Sequence, residues 1–275
     1  MPPQTSGSTA PGPERPLASY ASIAHVARVY DYLLGGKDNF AADREAAEQA
    51  IRINPDIVST ARANRAFLIR ATSYLVAQAG IRQFLDIGTG MPTNNNIHEV
   101  AQSIAPESRI VYVDHDPIVL SHARALLTGT SEGATDYVEA DLREPGKILA
   151  EAARTLDFRR PVAIMLSAIL HLIVDQDDPY DLVSQLVSAV VPGSYVVISH
   201  AASDIDSGAM ISMASRLNEL MAQQSMPRTH REVAYFFAGL DLVEPGLVRV
   251  PEWRPASVSD SAARAQMWGA VGRKP

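Results

Sequence analysis

The chain has 275 residues, 47% of them hydrophobic and 20% charged, with a net charge of −7 at pH 7 and no cysteine. That length and apolar content suit one large core or a core with an extension, and the lack of cysteine removes disulfides, thiolate nucleophiles and cysteine zinc sites together. An acidic balance without a basic block argues against nucleic acid as a partner.

Residues 1–17 are rich in Pro, Ser, Thr and Gly and read as a disordered tail. They lack a basic start and an apolar stretch, so no signal peptide is expected. Over 23–34 the apolar residues Ile23, Val26, Ala27, Tyr30 and Leu34 recur at helical spacing, and Gly35-Gly36 end that helix. A second helix is expected over 41–53. Asn54-Pro55 read as the opening of a third, which runs to about Gln78 with Ile57, Ala61, Phe67, Leu68, Ala71 and Leu75 on one side. Residues 18–80 are therefore expected to form a helical cap or lid ahead of a domain spanning 81–275.

From there strands and helices alternate, which calls for a doubly wound, mostly parallel sheet with helices on both faces. Strands are expected near 83–87, 109–114, 135–140, 161–166 and 194–199, with helices near 93–104, 117–127, 146–155 and 179–190. Helices are also expected over 207–224 and 231–238, and final strands over 240–243 and 265–271. The longest apolar run, 161–174, is broken by Ser167 and His171 and is too short to span a membrane. A cytoplasmic protein is the expectation.

The first strand, Phe84-Leu85-Asp86-Ile87, runs into Gly88-Thr89-Gly90, and a helix start is expected at Pro92-Thr93. Glycines there allow a tight turn and close approach to a ligand. Nicotinamide and flavin sites usually carry an apolar residue where this chain has Asp86; an acid suits a ligand with a cationic end. S-adenosylmethionine has an ammonium and a sulfonium. Asp114 ends the second strand 24 residues past Gly90, near the spacing of a carboxylate that grips a ribose diol. As a strand-end carboxylate it is expected to contribute little to the fold. Asp141 ends the third strand, where an acid can accept from an adenine amino group, with Leu142 packing on the ring. Asp116 reads as the cap of the helix opening at Pro117.

Together, the segments 27–40, 86–93, 113–117, 139–143 and Leu170-His171 resemble class I S-adenosylmethionine-dependent methyltransferases. More closely, they resemble an actinobacterial methyltransferase-like family long classed as a domain of unknown function, whose specific mark is Tyr30-Asp31-Tyr32-Leu33-Leu34-Gly35-Gly36-Lys37-Asp38-Asn39. The resemblance implies a seven-stranded sheet with its seventh strand antiparallel beside the fifth. It also implies S-adenosyl-L-methionine at the C-terminal edge of strands one and two. The cofactor-binding residues expected on this basis are Tyr30, Gly36, Asn39, Asp86, Gly88, Thr89, Gly90, Asp114, His115, Asp141, Leu142 and Ser167. One departure is that Met91-Pro92 follow Gly90 where a third glycine is common.

His171, just after the fourth strand, and His200, at the end of the fifth, are the candidate catalytic bases, on the premise of near-neutral pKa values; the alternative for His171 is a satisfied histidine in an apolar element. His98-Glu99 lacks a second histidine four positions on, so no metal site is indicated. Ser199-His200 lies outside a Gly-x-Ser-x-Gly elbow, which disfavours a hydrolase. The function expected is methyl transfer to a small-molecule acceptor. A non-catalytic S-adenosylmethionine or S-adenosylhomocysteine sensor, or a nicotinamide-dependent oxidoreductase, remains as an alternative. The acceptor and the oligomeric state are open.

Overall fold

The computed structural model describes residues 21–126, 129–221 and 223–275. The expected tail, 1–17, lies outside them. Three helices come first: α1 (Val26–Leu33), α2 (Ala41–Ile53) and α3 (Ile57–Ala77). Then follow β1 (Gln83–Ile87), α4 (Ile97–Ile104), β2 (Arg109–Asp114), α5 (Pro117–Leu126), β3 (Ala134–Glu139), α6 (Pro145–Ala152) and β4 (Ala163–Ser167). After a 3-10 turn at Leu170–Leu172 come α7 (Pro179–Ser188), β5 (Tyr195–Ala201), α8 (Ser207–Leu220) and α9 (His230–Tyr235). The chain ends with β6 (Asp241–Leu242), β7 (Val248–Arg249), the short α10 (Val258–Ser261) and β8 (Met267–Arg273).

The strands form one sheet of eight in the order β3-β2-β1-β4-β5-β8-β6, with β7 also on β8. β1 to β5 are parallel and β8 runs antiparallel along β5. This is the expected doubly wound sheet, with β8 in the place of the seventh strand and the two-residue β7 added. Among the described residues no helix is long and apolar enough to cross a membrane.

Both faces of the central strands are covered, and alternation along each strand decides what meets what. Leu85, Ile87, Val111, Val113, Ile164 and Ile198 face α6, α7 and α9. Phe84, Ile110, Tyr112, Met165 and Val197 face Phe67, Ala71 and Leu75 of α3 and Ala101 of α4. Two residues beyond Phe84, Asp86 therefore shares the α3 face, as does Asp114 two residues beyond Tyr112.

Two boundaries depart from expectation for local reasons. Asn54 ends α2 instead of opening α3: its N–H donates to Ala50 O, and its buried amide donates to Gln266 Oε1 at 2.5 Å. The helix after the glycine turn starts at Ile97, not near Thr93. Glu99 accepts the Asn96 N–H at 2.6 Å, and Asn95 is left-handed with φ 59°. Such a capping carboxylate fixes the start of the helix.

The cap is tied to the sheet through a buried arginine. Arg28 of α1 donates from Nε to Asp43 Oδ2 (2.8 Å), from Nη1 to Asp116 Oδ2 (3.5 Å) and from Nη2 to Ile23 O (2.9 Å). Asp43 of α2 also accepts the N–H groups of His25 and Phe40. Asp116 caps α5 as expected, accepting the Ile118 N–H at 2.8 Å. Arg28 and Asp43 are 2% and 0% exposed, so neither can recover its hydrogen bonds from water.

Asp43→Ala is expected to cost about 3–5 kcal/mol of stability, the range for breaking a buried ion pair from one side. Chemical denaturation of the two proteins measures it. A loss comparable to a surface substitution would show that Arg28 holds the cap without Asp43.

Candidate active site

At the end of β1 the chain turns through Gly88 (φ 75°) and Gly90 (φ 68°), both in the left-handed region. The two glycines do different work. A Cβ on Gly88 would lie 2.6 Å from Ile169 Cγ1, whereas one on Gly90 would meet nothing within 4 Å. Gly88 makes room for Ile169, and Gly90 borders open space. Ile169 reaches Gly88 because Ala168, just past β4, is itself left-handed (φ 55°), with its N–H held by Ser199 O and Oγ.

Asp114 binds this turn into the sheet. Oδ2 accepts the Gly90 N–H at 3.0 Å and Oδ1 accepts the Asp116 N–H at 2.9 Å. It is therefore a structural tie, contrary to the expectation that it adds little to the fold, and it still has lone pairs to offer a ligand. Thr89 Oγ1 bonds Asp86 O and Val113 O, so its side chain also braces the turn.

Beyond the turn, a cavity of about 370 Å³ opens along the ends of β1, β2 and β3. Asp114, His115, Asp141, Leu142 and Ile173 form its walls. Asp141 does not stand alone: Arg143 donates its N–H to Oδ1 at 2.8 Å and pairs with the carboxylate at 3.2 Å, while its Nε reaches Asp177 Oδ2 at 2.6 Å. His115 is exposed, its Nε2 3.2 Å from Gln223 Nε2.

A second cavity of about 190 Å³ runs from the same turn beneath the cap and shares Gly88, Asp114, His115, Ile169 and Leu172 with the first. At its sheet end stand Asp86 and Arg65. Burial pushes the Asp86 carboxyl up to about 7; the Arg65 guanidinium pulls it back and Asp114 raises it further. Arg65 Nη2 holds the loop after the turn through Asn94 O and Asn95 O, and its buried Nε has no partner. A buried acid and a half-buried cation with an unfilled Nε suit a zwitterion.

Arg65 and Asn64 were not among the expected site residues. Ala61, Asn64, Arg65 and Leu68 follow the i, i+3, i+4, i+7 pattern of one helical face, so two polar residues in an otherwise apolar stripe were the available signal. Asn64 Nδ2 donates to Tyr30 Oη (2.9 Å) and Ser167 Oγ (3.4 Å), while Tyr30 donates to Ala61 O (3.1 Å). Tyr30 and Ser167 thus line this cavity.

Gly36 and Asn39 do not. Their turn wraps the Asp31 carboxylate, which accepts the Asp38 N–H (3.0 Å) and Asn39 Nδ2 (2.8 Å). A Cβ on Gly36 would overlap that carboxylate. The glycine pair and the polar residues after it serve the turn itself, and the part of this region that reaches the cavity is α1, through Val26, Val29, Tyr30 and Leu33.

The two histidines also separate. His171 lines the cavity with its Nδ1 buried and unpartnered. Burial, reinforced by Arg228, lowers it to about 4, so it is a neutral imidazole at pH 7 rather than one poised near neutrality. His200 is wholly buried. Its Nδ1 lies 2.8 Å from Ala201 O and therefore carries the proton, and its Nε2 accepts from Arg228 Nη1 at 3.1 Å. With both nitrogens occupied, His200 cannot take a proton from an acceptor. Its ring stands edge-on to His171, with centroids 5.7 Å apart.

Sheet order, glycine turn and carboxylates at successive strand ends define a class I methyltransferase fold. The sequence matches the family described as S-adenosyl methyltransferase over residues 16–275, and the chain belongs to that family. It is an S-adenosylmethionine-dependent methyltransferase. Among solved structures it is similar to a DUF574 family protein from Streptomyces avermitilis MA-4680: 45% identity, 93% of this chain and 99% of that one covered, TM-score 0.90. It is also similar to a Thermobifida fusca YX protein provisionally assigned as a methyltransferase, with 41% identity, 92% and 96% coverage and TM-score 0.84. An S-adenosylmethionine-dependent methyltransferase from Anabaena variabilis ATCC 29413 shares the fold at 11% identity, with 73% and 80% coverage and TM-score 0.50. None of the curated proteins matches the chain in sequence.

Gly88→Ala should be the more damaging of the two glycine substitutions, because overlap with Ile169 adds to the left-handed strain of about 1–2 kcal/mol shared with Gly90→Ala. Combining it with Ile169→Ala should recover part of the loss. A coupling energy of about 0.5–3 kcal/mol in a double-mutant cycle is the expected result, and strict additivity would remove the interlock.

Proposed function

We propose that the joined cavities hold S-adenosylmethionine across the sheet edge and a small-molecule acceptor beneath the cap. The observation that carries this reading is the buried Asp86 carboxyl with the half-buried Arg65 guanidinium within Coulombic reach of it, both lining the second cavity beside the glycine turn that the two cavities share. Asp86 would face the ammonium of the methionine end and Arg65 its carboxylate. The backbone at Gly88, Thr89 and Gly90 would lie along the chain between methionine and ribose. Asp114, beside His115, would accept from the ribose diol. Asp141 would accept from the adenine amino group and Leu142 would pack against the ring; Arg143 leaves part of that carboxylate free, since each oxygen takes two hydrogen bonds.

When bound, the cofactor supplies a methyl group already activated on a sulfonium. The protein aligns donor and acceptor and excludes water. Tyr30 and Ser167 border the acceptor side, and His171 offers a neutral nitrogen there.

S-adenosylhomocysteine is expected to bind and NAD is not, as calorimetry with both ligands would show; the opposite order would sink the cofactor assignment. Its affinity should fall as pH drops below about 7, approaching tenfold per pH unit, because Asp86 must be ionised to face an ammonium. In the ligand-free enzyme the raised pKa works the other way. Asp86 contributes stability in full below its unfolded value of 3.8, and that contribution is lost as pH rises through about 7. The ligand should therefore raise Tm more at pH 8 than at pH 6, and Asp86→Asn should flatten the difference.

Asp114→Ala should weaken S-adenosylhomocysteine binding by about 1.5–3 kcal/mol, the range for a hydrogen bond to a charged group. It should also lower stability, since two backbone N–H groups lose their acceptor. Unchanged affinity alongside reduced stability would leave Asp114 a structural tie only.

A further inference from the structure

The acceptor side of the second cavity has an unusual composition. The Asp and Arg side chains in its wall are Asp86 and Asp114 at the sheet edge and Arg65 on α3, and among the described residues it has no Glu or Lys. Under the cap the wall includes Leu33, Leu68 and Leu217 with four methionines, Met210, Met213, Met221 and Met267, beside the uncharged Thr60 and Gln266. A carboxylate, phosphate or ammonium brought there would lose its water and gain no counter-ion. Thioether side chains adapt to flat apolar surfaces and make favourable sulfur–aromatic contacts.

Besides Arg65 Nε at the sheet end, two polar atoms in this wall lack a partner. Asn64 Oδ1 and His171 Nδ1 are buried and bonded to nothing. The Asn64 amide is fixed in this orientation because its Nδ2 donates to Tyr30 and Ser167. Its free oxygen, and His171 in its acceptor form, are complementary to a hydrogen-bond donor on the ligand. Arg228 holds His171 in place by bonding Leu170 O (3.1 Å) and Ile173 O (2.9 Å) on either side of it.

We infer that the acceptor is a neutral, planar aromatic molecule methylated at a ring hydroxyl, its O–H received by the Asn64 and His171 side of the wall and its ring by the methionines. This rests on the methyltransferase site proposed above. The phenolic oxygen forms a bond to the methyl carbon with one of its lone pairs. The carbon–sulfur bond breaks with its electron pair going to sulfur, which leaves the neutral thioether of S-adenosylhomocysteine. The hydroxyl proton passes to His171 and then to water. Among hydroxyls, those on aromatic rings are acidic enough to need no stronger base than a buried histidine.

The test uses the full chain saturated with S-adenosylhomocysteine and three probes of one shape: 2-naphthol, 2-methoxynaphthalene and 2-naphthoate. 2-Naphthol should bind at least about tenfold tighter than either of the others, because a site built for a donor discriminates against an analogue lacking one. With S-adenosylmethionine, it should yield 2-methoxynaphthalene. Asn64→Leu should erase the preference for 2-naphthol over its methyl ether and leave S-adenosylhomocysteine affinity unchanged; the probe series on the unaltered protein decides the matter if that variant does not fold. Binding of S-adenosylhomocysteine with equal or tighter binding of 2-naphthoate, or with no binding of any probe, overturns the acceptor class while the cofactor site stands. Failure of S-adenosylhomocysteine itself to bind overturns both.

Discussion

Arg28 is the point on which cap and sheet depend. It carries a full charge at 2% exposure, and it survives there because a carboxylate from α2 and another from the end of β2 both face it. One of these, Asp116, also caps α5, and its N–H is held by Asp114, which in turn holds Gly90. A single run of charge and hydrogen bonds thus passes from the cap through the strand end to the glycine turn. Loosening it at Arg28 would release the roof of the cavity and the turn beneath it together.

The electrostatics of the turn follow from the same geometry. Strand alternation sends Asp86 and Asp114 to one face, so two buried carboxyls stand near each other, and burial with that repulsion keeps Asp86 protonated up to about pH 7. Arg65 compensates only in part because the cost of burying the Asp86 charge is the larger effect. The turn is left with a carboxyl raised to about 7 and, within its Coulombic reach, a guanidinium whose buried Nε has no partner.

Much of this was legible in the sequence. The alternation of strands and helices gave the sheet, and the placing of Asp86, Asp114 and Asp141 at successive strand ends could be read as well, because period-two burial and glycine turns are local properties. The histidines were not legible, since burial, with Arg228 adding to it, sets His171 at about 4, and the hydrogen bonds that seal His200 also come from Arg228, far off in the chain. Gly36 and Asn39 misled for a related reason: a glycine pair followed by polar residues looks the same whether it meets a ligand or a carboxylate of its own chain, here Asp31. Helix starts moved wherever a side chain such as Glu99 chose a later cap.

Much of the wall of the second cavity comes from α1, α3 and α8, while the first cavity lies along the ends of β1, β2 and β3. Evolution can therefore work on the two halves separately. Exchanging Met210 or Met213 for another apolar residue reshapes the pocket without disturbing any strand, whereas Gly88 and Ile169 are sterically locked and can drift only as a pair. Divergence among paralogues should accordingly concentrate in the helices that roof the cavity, with substrate range changing faster than the fold that serves it.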